Sequence, residues 1–578
     1  MREIWQRGNV IKALIKVLMK ALIIVSTFDY DEDSVFNAFT GQSGMNIFIK
    51  TIGIGCAVLT LSATASIDAK TLRWSNQGDI ATHDPHAQNE AFNNQFNGQI
   101  YEQLLSRDKN MKLIPTLATS VKQTAPTTWL MTLRKGVKWH DGSAFTADDV
   151  VFSIVRAQQP TSNYRVYSMA LGKPRKVDDF TVELTTPVPN LVLPDMLGSS
   201  VIFIMSKAWA IKNKIEKPQD FTNKEETFGV RNAMGTGPFM LVSREPDVKT
   251  VLKKNPNWWG IKEGRFEGNV TDVIFTPIRS PATRVAALIS GELDFILDPP
   301  LQDIAKLQQD KKIKIYEGRE NRIIFIGMDQ ARDQLLYSDV KGKNPFKDKR
   351  VRMALYQTVD IEAIKRTVMR GMAIPTAINL PSRVEAGIPD SMEKRHPMIS
   401  ADAAKKMLAD AGYPKGFSVT LDCPNDRYIN DERICVALAG MWSKIGVNIK
   451  VASIPKANYF PKQRKLDNSM YMLGWGGSTT DAIFTLNPVL HSRNDKGVGE
   501  FNWGNYKNAE LDQLIDNIEG ETEMKKRQEM IIKAMQIHHD EVLHIPLHLQ
   551  VTPWAAKSGV SVVHRPDAWL ELTWVKMP

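Results

Sequence analysis

The sequence predicts a mixed α/β protein of two or more lobes, and three observations carry that prediction. The chain has 578 residues, too many for one hydrophobic core. Strand-like runs such as NVTDVIFTPI, NRIIFIGMD, FSVTLDC and NIKVASI alternate with helix-like runs, the pattern of a layered α/β architecture. The 30 prolines and 35 glycines supply many turns and argue against a helical bundle.

Composition narrows the function classes. Hydrophobic residues make 43% and charged residues 24% of the chain, as in an ordinary globular protein. The net charge is +10. Residues 1–69 hold six basic and six acidic side chains, so the excess lies beyond them. It is spread out, with no Lys/Arg run of the density that nucleic-acid binding needs. Nucleic acid is therefore not an expected partner.

The first element is an address. From Met45 the chain reads MNIFIKTIGIGCAVLTLSATASIDA. It has a start methionine, Lys50, an apolar stretch from Thr51 to about Leu61, and Ala63-Thr64-Ala65 as a small-x-small cleavage site. This is the layout of a secretory signal peptide, and its apolar stretch is too short to span a bilayer comfortably. Upstream, VIKALIKVLMKALIIV has the pattern of a basic amphipathic helix. A complete targeting signal behind it points to Met45 as the true start. Lipid anchoring through Cys56 is disfavoured, because GIGC carries glycine where that motif wants an aliphatic residue.

The next informative stretch is TTWLMTLRKGVKWHDGSAFTADDVVFSIVRA. Trp129, Met131 and Leu133 alternate on one face of a half-buried strand. Gly136 interrupts it, and Asp141-Gly142 is a turn dipeptide. Thr146 is a good N-cap, and Asp149 stands where a capping-box acid belongs. Asp148 and Asp149 face the positive end of the helix dipole, and Val150, Val151, Ile154 and Val155 form the apolar stripe. Each charged residue thus has a structural role, and no nucleophile accompanies His140-Asp141.

Further along, ADAAKKMLADAGY is a helix stopped by glycine and proline. DERICVALAGMWSKIG is a second helix, with Ile434, Leu438 and Trp442 at spacing four. Cys423 and Cys435 stand twelve residues apart. They either pair in an oxidising compartment or remain two buried thiols. Enzyme motifs are missing. Gly235-Thr236-Gly237 is followed by Pro238 rather than a helix, no P-loop occurs, and GWGGST lacks the second glycine of a nucleophile elbow. His538, His539, His544 and His548 cluster, but His539 and His544 are five apart, so HExxH is absent. A helix end running into a strand is the expected structure there; a nickel or zinc site is the alternative.

Residues 117–157, LATSVKQTAPTTWLMTLRKGVKWHDGSAFTADDVVFSIVRA, closely resemble the signature of bacterial extracellular solute-binding proteins of family 5. These are the peptide-, dipeptide- and nickel-binding components of ABC importers. The resemblance continues in order through DPHAQNEAFNNQFNGQIYEQL, GTGPFML, NPNWWG, TRVAALISGELDF, NPFKDKRVRMALYQTVDIEAI, GYPKGFSVTL, GWGGSTTDAIF and RQEMIIKAMQIHHDEVLHIPL. It covers essentially all of 70–578.

The resemblance implies a two-lobed, type II periplasmic-binding-protein-like α/β fold in its large, three-subdomain form, with a hinge and an interlobe ligand cleft. Lobe I is expected at 70–320 plus 545–578, with an extra subdomain at about 98–225 that holds the KWHDGSAFTADDV motif far from the ligand. Lobe II is expected at 321–544. The crossings fall near GRENRIIFIG and HIPLHLQ. The expected function is periplasmic capture of a peptide or similar small solute and its delivery to a membrane permease and ATPase. The protein is expected to act as a monomer, without catalysis or cofactor. The alternatives are a metal-chelate binder of the same fold and a secreted metal-dependent hydrolase.

Candidate ligand-binding residues follow. Trp475 ends an apolar strand at a Gly-rich loop. In the dipeptide and oligopeptide binders this loop has an aspartate after Gly-Trp-x-Gly that pairs with the peptide amino terminus. Here Ser478 stands at that position, followed by Thr480 and Asp481, which departs from a strict dipeptide pattern. Arg427 matches a carboxylate-binding arginine, though the register differs by about two, and Tyr428 adjoins it. Asn93 and Asn94 are pocket amides or helix-capping residues.

Overall fold

The computed structural model describes residues 69–578 except 200–201, 382–386 and 477–480. The leader, the Met45 start, Cys56 and residues 1–44 thus lie outside the described residues, as do Ser478 and Thr480.

Strand β1 (Thr71–Ser75) opens the fold, with Leu72 and Trp74 buried. The helix Ala91–Asn97 follows, then a short hairpin of β2 (Leu105–Arg107) and β3 (Leu113–Pro115). Next, β4 (Ala118–Ala125), β5 (Thr128–Leu133), β6 (Lys173–Asp178) and β7 (Thr181–Thr185) make an antiparallel sheet in the order β4-β5-β7-β6. The expected alternation holds in β5: Trp129, Met131 and Leu133 are buried while Thr132 is exposed.

The turn after β5 joins two parts of the chain. His140 Nε2 lies 3.1 Å from Gly237 O, and the Gly235 N–H donates to His140 Nδ1 at 3.3 Å. These partners select one tautomer, with the proton on Nε2. Asp141 Oδ1 instead accepts from the Ser143 amide at 2.9 Å and its hydroxyl at 2.6 Å, an Asx turn. The helix Ala147–Ala157 begins with the expected capping box, the Thr146 amide donating to Asp149 at 3.0 Å. Its apolar stripe is narrower than expected. Val150 and Ile154 are buried, but Val155 is 43% exposed, because the helix contacts the sheet over one side only.

The main sheet takes its strands from both ends of the chain. β8 (Phe239–Glu245), β9 (Lys249–Lys254), β10 (Asp272–Phe275) and β11 (Phe295–Leu297) lie on one side with β1. β14 (Phe417–Pro424), β15 (Val447–Ile454) and β16 (Met470–Gly476) lie on the other. Between them run β12 (Ile313–Met328) and β17 (His544–Lys557), and β13 (Ala373–Pro375) pairs with β17. The order is β15-β14-β16-β12-β17-β11-β1-β10-β9-β8. β12 has 16 residues, about 50 Å of extended chain, long enough to belong to both sides. The β12–β17 ladder slips between Arg319 and Ile323. There Arg319 pairs with Val551 and Ile323 with Leu549. The slip is a bulge, which bends a strand and redirects its side chains.

Each side of the sheet has its own apolar cluster. One gathers Leu72, Trp74, Phe275, Phe295 and Trp554. The other gathers Leu355, Ile434, Leu438, Trp442, Val447 and Met470. Ile434, Leu438 and Trp442 come from the helix Asp431–Ser443 and are fully buried, each contributing about 1.5–3 kcal/mol.

Candidate functional site

β14 and β16 run parallel, so the segments after their carboxyl ends emerge at one edge, where α/β sheets place ligands. A cavity of about 100 Å³ lies there. Its walls come from both sides of the sheet. Glu90, Asn94, Tyr164 and Tyr167 precede β12 in the chain, while Arg427, Tyr428, Phe460, Trp475 and Phe484 follow it.

Glu90 caps the helix Ala91–Asn97, accepting from the amides of Phe92 at 3.1 Å and Asn93 at 3.0 Å. The same carboxylate meets Arg427 Nε at 2.7 Å and Lys456 Nζ at 3.4 Å. Burial opposes its charge, but the two cations and two amides outweigh burial and hold Glu90 down to about 2.

Arg427 and Tyr428 sit on the loop after β14. Cys423 and Cys435 close that loop as a disulfide, with Cα atoms 6.5 Å apart. Asp431 braces it from inside, accepting from the amides of Arg427 at 3.0 Å and Tyr428 at 2.9 Å. Tyr428 stacks under the Arg427 guanidinium at 4.7 Å, and its hydroxyl donates to Gly474 O at 3.3 Å. Gly474 is required there: a Cβ would stand 2.4 Å from the Tyr428 ring.

The bulge of β12 adds a buried polar base. Arg322 Nε donates to Glu320 at 2.6 Å and its Nη1 to Gly474 O at 3.3 Å. Glu320 also accepts from Gln550 at 2.6 Å and Thr552 at 3.0 Å, so β12 and β17 are tied where their ladder breaks.

The predicted residues divide. Trp475, Arg427, Tyr428, Asp481 and Asn94 all line the cavity. Trp475 donates its indole N–H to Phe484 O at 3.0 Å and packs on Phe501 at 4.8 Å. Asp481 is committed elsewhere, because both its oxygens accept from Arg527 at 2.7 Å. Asn94 donates to Asn89 Oδ1 at 3.0 Å and accepts from Tyr164. Asn93 does not line the cavity; it accepts from the amides of Ala81 and Thr82 at 3.0 Å and ties that loop to the helix. Ser478 and Thr480 lie outside the described residues. Sequence reasoning missed Glu90, Arg322 and the aromatic wall of Tyr164, Tyr167, Phe460, Phe484 and Phe501. Glu90 stands just ahead of a helix, a cap signal that could have drawn attention to it.

No histidine is among the described residues that line the cavity. The C-terminal histidines lie apart from it. His538 Nε2 is 3.0 Å from His544 Nδ1, and His539 stacks on His396 at 4.0 Å. Among the described residues no group of three His, Cys, Asp or Glu side chains is placed to hold a metal ion.

The arrangement can hold a polar, amphiphilic molecule between aromatic walls, with a cation and a carboxylate in contact with each other in the cavity wall. The family described as bacterial extracellular solute-binding proteins, family 5, matches residues 112–497. The chain is 28% identical over 477 residues to heme-binding protein A of Haemophilus influenzae, covering 78% of this chain and 81% of that one. It is 26% identical over 527 residues to the dipeptide-binding protein of Escherichia coli K12, covering 86% and 93%. The solved periplasmic binding protein DppA of Helicobacter pylori, in complex with the peptide STSA, superposes with a TM-score of 0.76 at 21% identity, covering 88% and 98%. The fold is the two-lobed, type II α/β fold of that group.

Proposed function

The chain belongs to family 5 of the bacterial extracellular solute-binding proteins, and on that premise we propose that it captures a peptide or similar small zwitterionic solute for an ABC importer. The observation that carries this reading is Arg427 facing Glu90 inside an aromatic-walled cavity. A ligand carboxylate takes the Arg427 guanidinium, which offers two parallel donors. Glu90, released from Arg427, then faces the ligand ammonium. This assigns to Glu90 the negative charge that position 478 lacks.

The lobes are 70–320 with 545–578, and 321–544, and the residues at about 98–225 form the extra subdomain. The hinge is the slipped ladder at Arg319–Ile323 and Leu549–Val551. Closure excludes water and strengthens the polar contacts. The closed monomer then docks on the permease, whose ATPase supplies the energy, and the solute is released intact. Export to the periplasm is through the signal peptide that begins at Met45. Among the described residues no helix is long and apolar enough to cross a membrane.

A thermal-shift and calorimetry screen tests this. It covers di- to pentapeptides, glutathione, heme, opines, oligosaccharides and nickel. A ligand at a hundredfold excess over its dissociation constant adds about 2.7 kcal/mol of stability. A peptide that stabilises the wild-type protein but not Arg427→Ala supports the proposal. Stoichiometric nickel uptake without peptide binding, or consumption of the ligand, overturns it.

A further inference from the structure

A second recess, of about 310 Å³, lies between residues 98–116, the Trp258 turn and the C-terminal segment 565–574. Trp569 lines both it and the interlobe cavity. The cations that line the recess have carboxylate partners. Arg107 pairs with Asp195 at 2.6 Å, Lys109 with Glu267 at 2.6 Å, Arg265 with Glu263 at 3.1 Å, and Arg565 with Asp567.

Of its carboxyls, Glu267 pairs with Lys109 and Asp108 accepts from the amides of Asn110 and Lys112 at 2.9 Å. Glu102 and Glu571 take part in no ion pair among the described residues. Glu102 accepts indole N–H bonds from Trp258 at 3.0 Å and Trp259 at 2.9 Å. Glu571 accepts the Thr573 hydroxyl at 2.9 Å. Burial pushes Glu102 up to about 7 and also raises Glu571, outweighing the charges of Arg134 near the first and Arg565 near the second. Trp258, Trp569 and Trp574 supply aromatic surface beside them, and indole faces attract organic cations. Arg107 Nε and Thr116 Oγ1 are buried there with no protein hydrogen-bond partner, which leaves a donor for an uncharged oxygen.

We propose that this recess is a second ligand site, which takes a small amine: its ammonium group between Glu102 and Glu571, its body on the indoles, and a hydroxyl or carbonyl oxygen on Arg107 Nε. The site is built within residues outside the Arg427 loop and does not depend on what the interlobe cavity binds.

Calorimetry with tyramine as the probe tests it, against tyrosol, the same molecule with a hydroxyl in place of the ammonium. Tyramine is expected to bind wild type and Arg427→Ala alike. Glu102→Gln and Glu571→Gln are each expected to weaken tyramine at least about tenfold, and tyrosol to bind at least about tenfold more weakly than tyramine. Thermal unfolding checks that each variant folds, and Trp574→Ala reads the same loss if Glu102→Gln does not. Absence of tyramine binding at millimolar concentration, equal binding of tyrosol, or a loss in Arg427→Ala with none in the two glutamine variants would overturn the site.

Discussion

Arg427 Nε and Glu90 Oε1 meet at 2.7 Å, joining the loop after β14 to the cap of the helix Ala91–Asn97. The two residues are 337 positions apart in the chain. Lys456 shares the same carboxylate at 3.4 Å, and the three side chains are at most 11% exposed. Removing the carboxylate leaves two buried cations facing each other. Such a loss costs about 3–5 kcal/mol. Glu90→Gln is therefore expected to destabilise the protein by about that amount in denaturant unfolding, and Arg427→Ala in the same chain to recover part of it. Additive effects of the two substitutions would show that the contact is not formed.

The disulfide Cys423–Cys435 closes a loop at a separation of 12 residues. A loop of that length contributes about 3 kcal/mol through the unfolded chain. Replacing both cysteines by serine is expected to lower stability by about 2–3 kcal/mol and to weaken ligand binding, because Arg427 and Tyr428 ride on that loop. An unchanged melting temperature under reductant would contradict this.

His140 acts as a clasp on the Gly235–Gly237 segment. His140→Phe leaves the Gly235 amide and Gly237 carbonyl without those bonds and is expected to cost about 1–3 kcal/mol. Ligand affinity is expected to stay within about twofold, a change of under 0.5 kcal/mol. A large loss of affinity at unchanged stability would mean that the motif takes part in binding.

His548 is fully buried, and neither ring nitrogen has a hydrogen-bond partner among the described residues. Burial, aided by the Arg395 charge, pushes its pKa down from 6.5 to about 4. The folded state therefore keeps it neutral, while the unfolded chain takes up a proton below 6.5. Its contribution is whole above pH 6.5 and is lost as pH falls toward 4. His548→Leu removes no hydrogen bond. Relative to wild type it is expected to gain up to about 2 kcal/mol between pH 7 and pH 5, measured by thermal unfolding at the two pH values. Parallel pH profiles for the two proteins would contradict that.

Legibility in the sequence followed the range of the interactions. The strand Thr128–Leu133, the capping box at Thr146 and the helix Asp431–Ser443 rest on local periodicity and capping, and all three were readable. The stripe was overdrawn at Val155, because periodicity marks a face without saying how wide a neighbour covers it. At the candidate site, Trp475, Arg427 and Tyr428 were readable as strand-end and loop residues. Asn93 and Asn94 are adjacent and were indistinguishable by type. One turns to the Ala81–Thr82 amides and the other to the cavity, a choice set by helix rotation against distant neighbours.

By itself the sequence determined the layered α/β class, the turn at His140–Gly142, the main helices and the resemblance to a solute-binding family, since these depend on residues near one another in the chain. Only the tertiary structure decided that Asp481 is held by Arg527, that Cys423 and Cys435 pair, and that Glu90 faces Arg427. Each of those contacts depends on where separate segments stop in space, and that is fixed by the collective packing of the apolar clusters around the main sheet, not by any local pattern of residues.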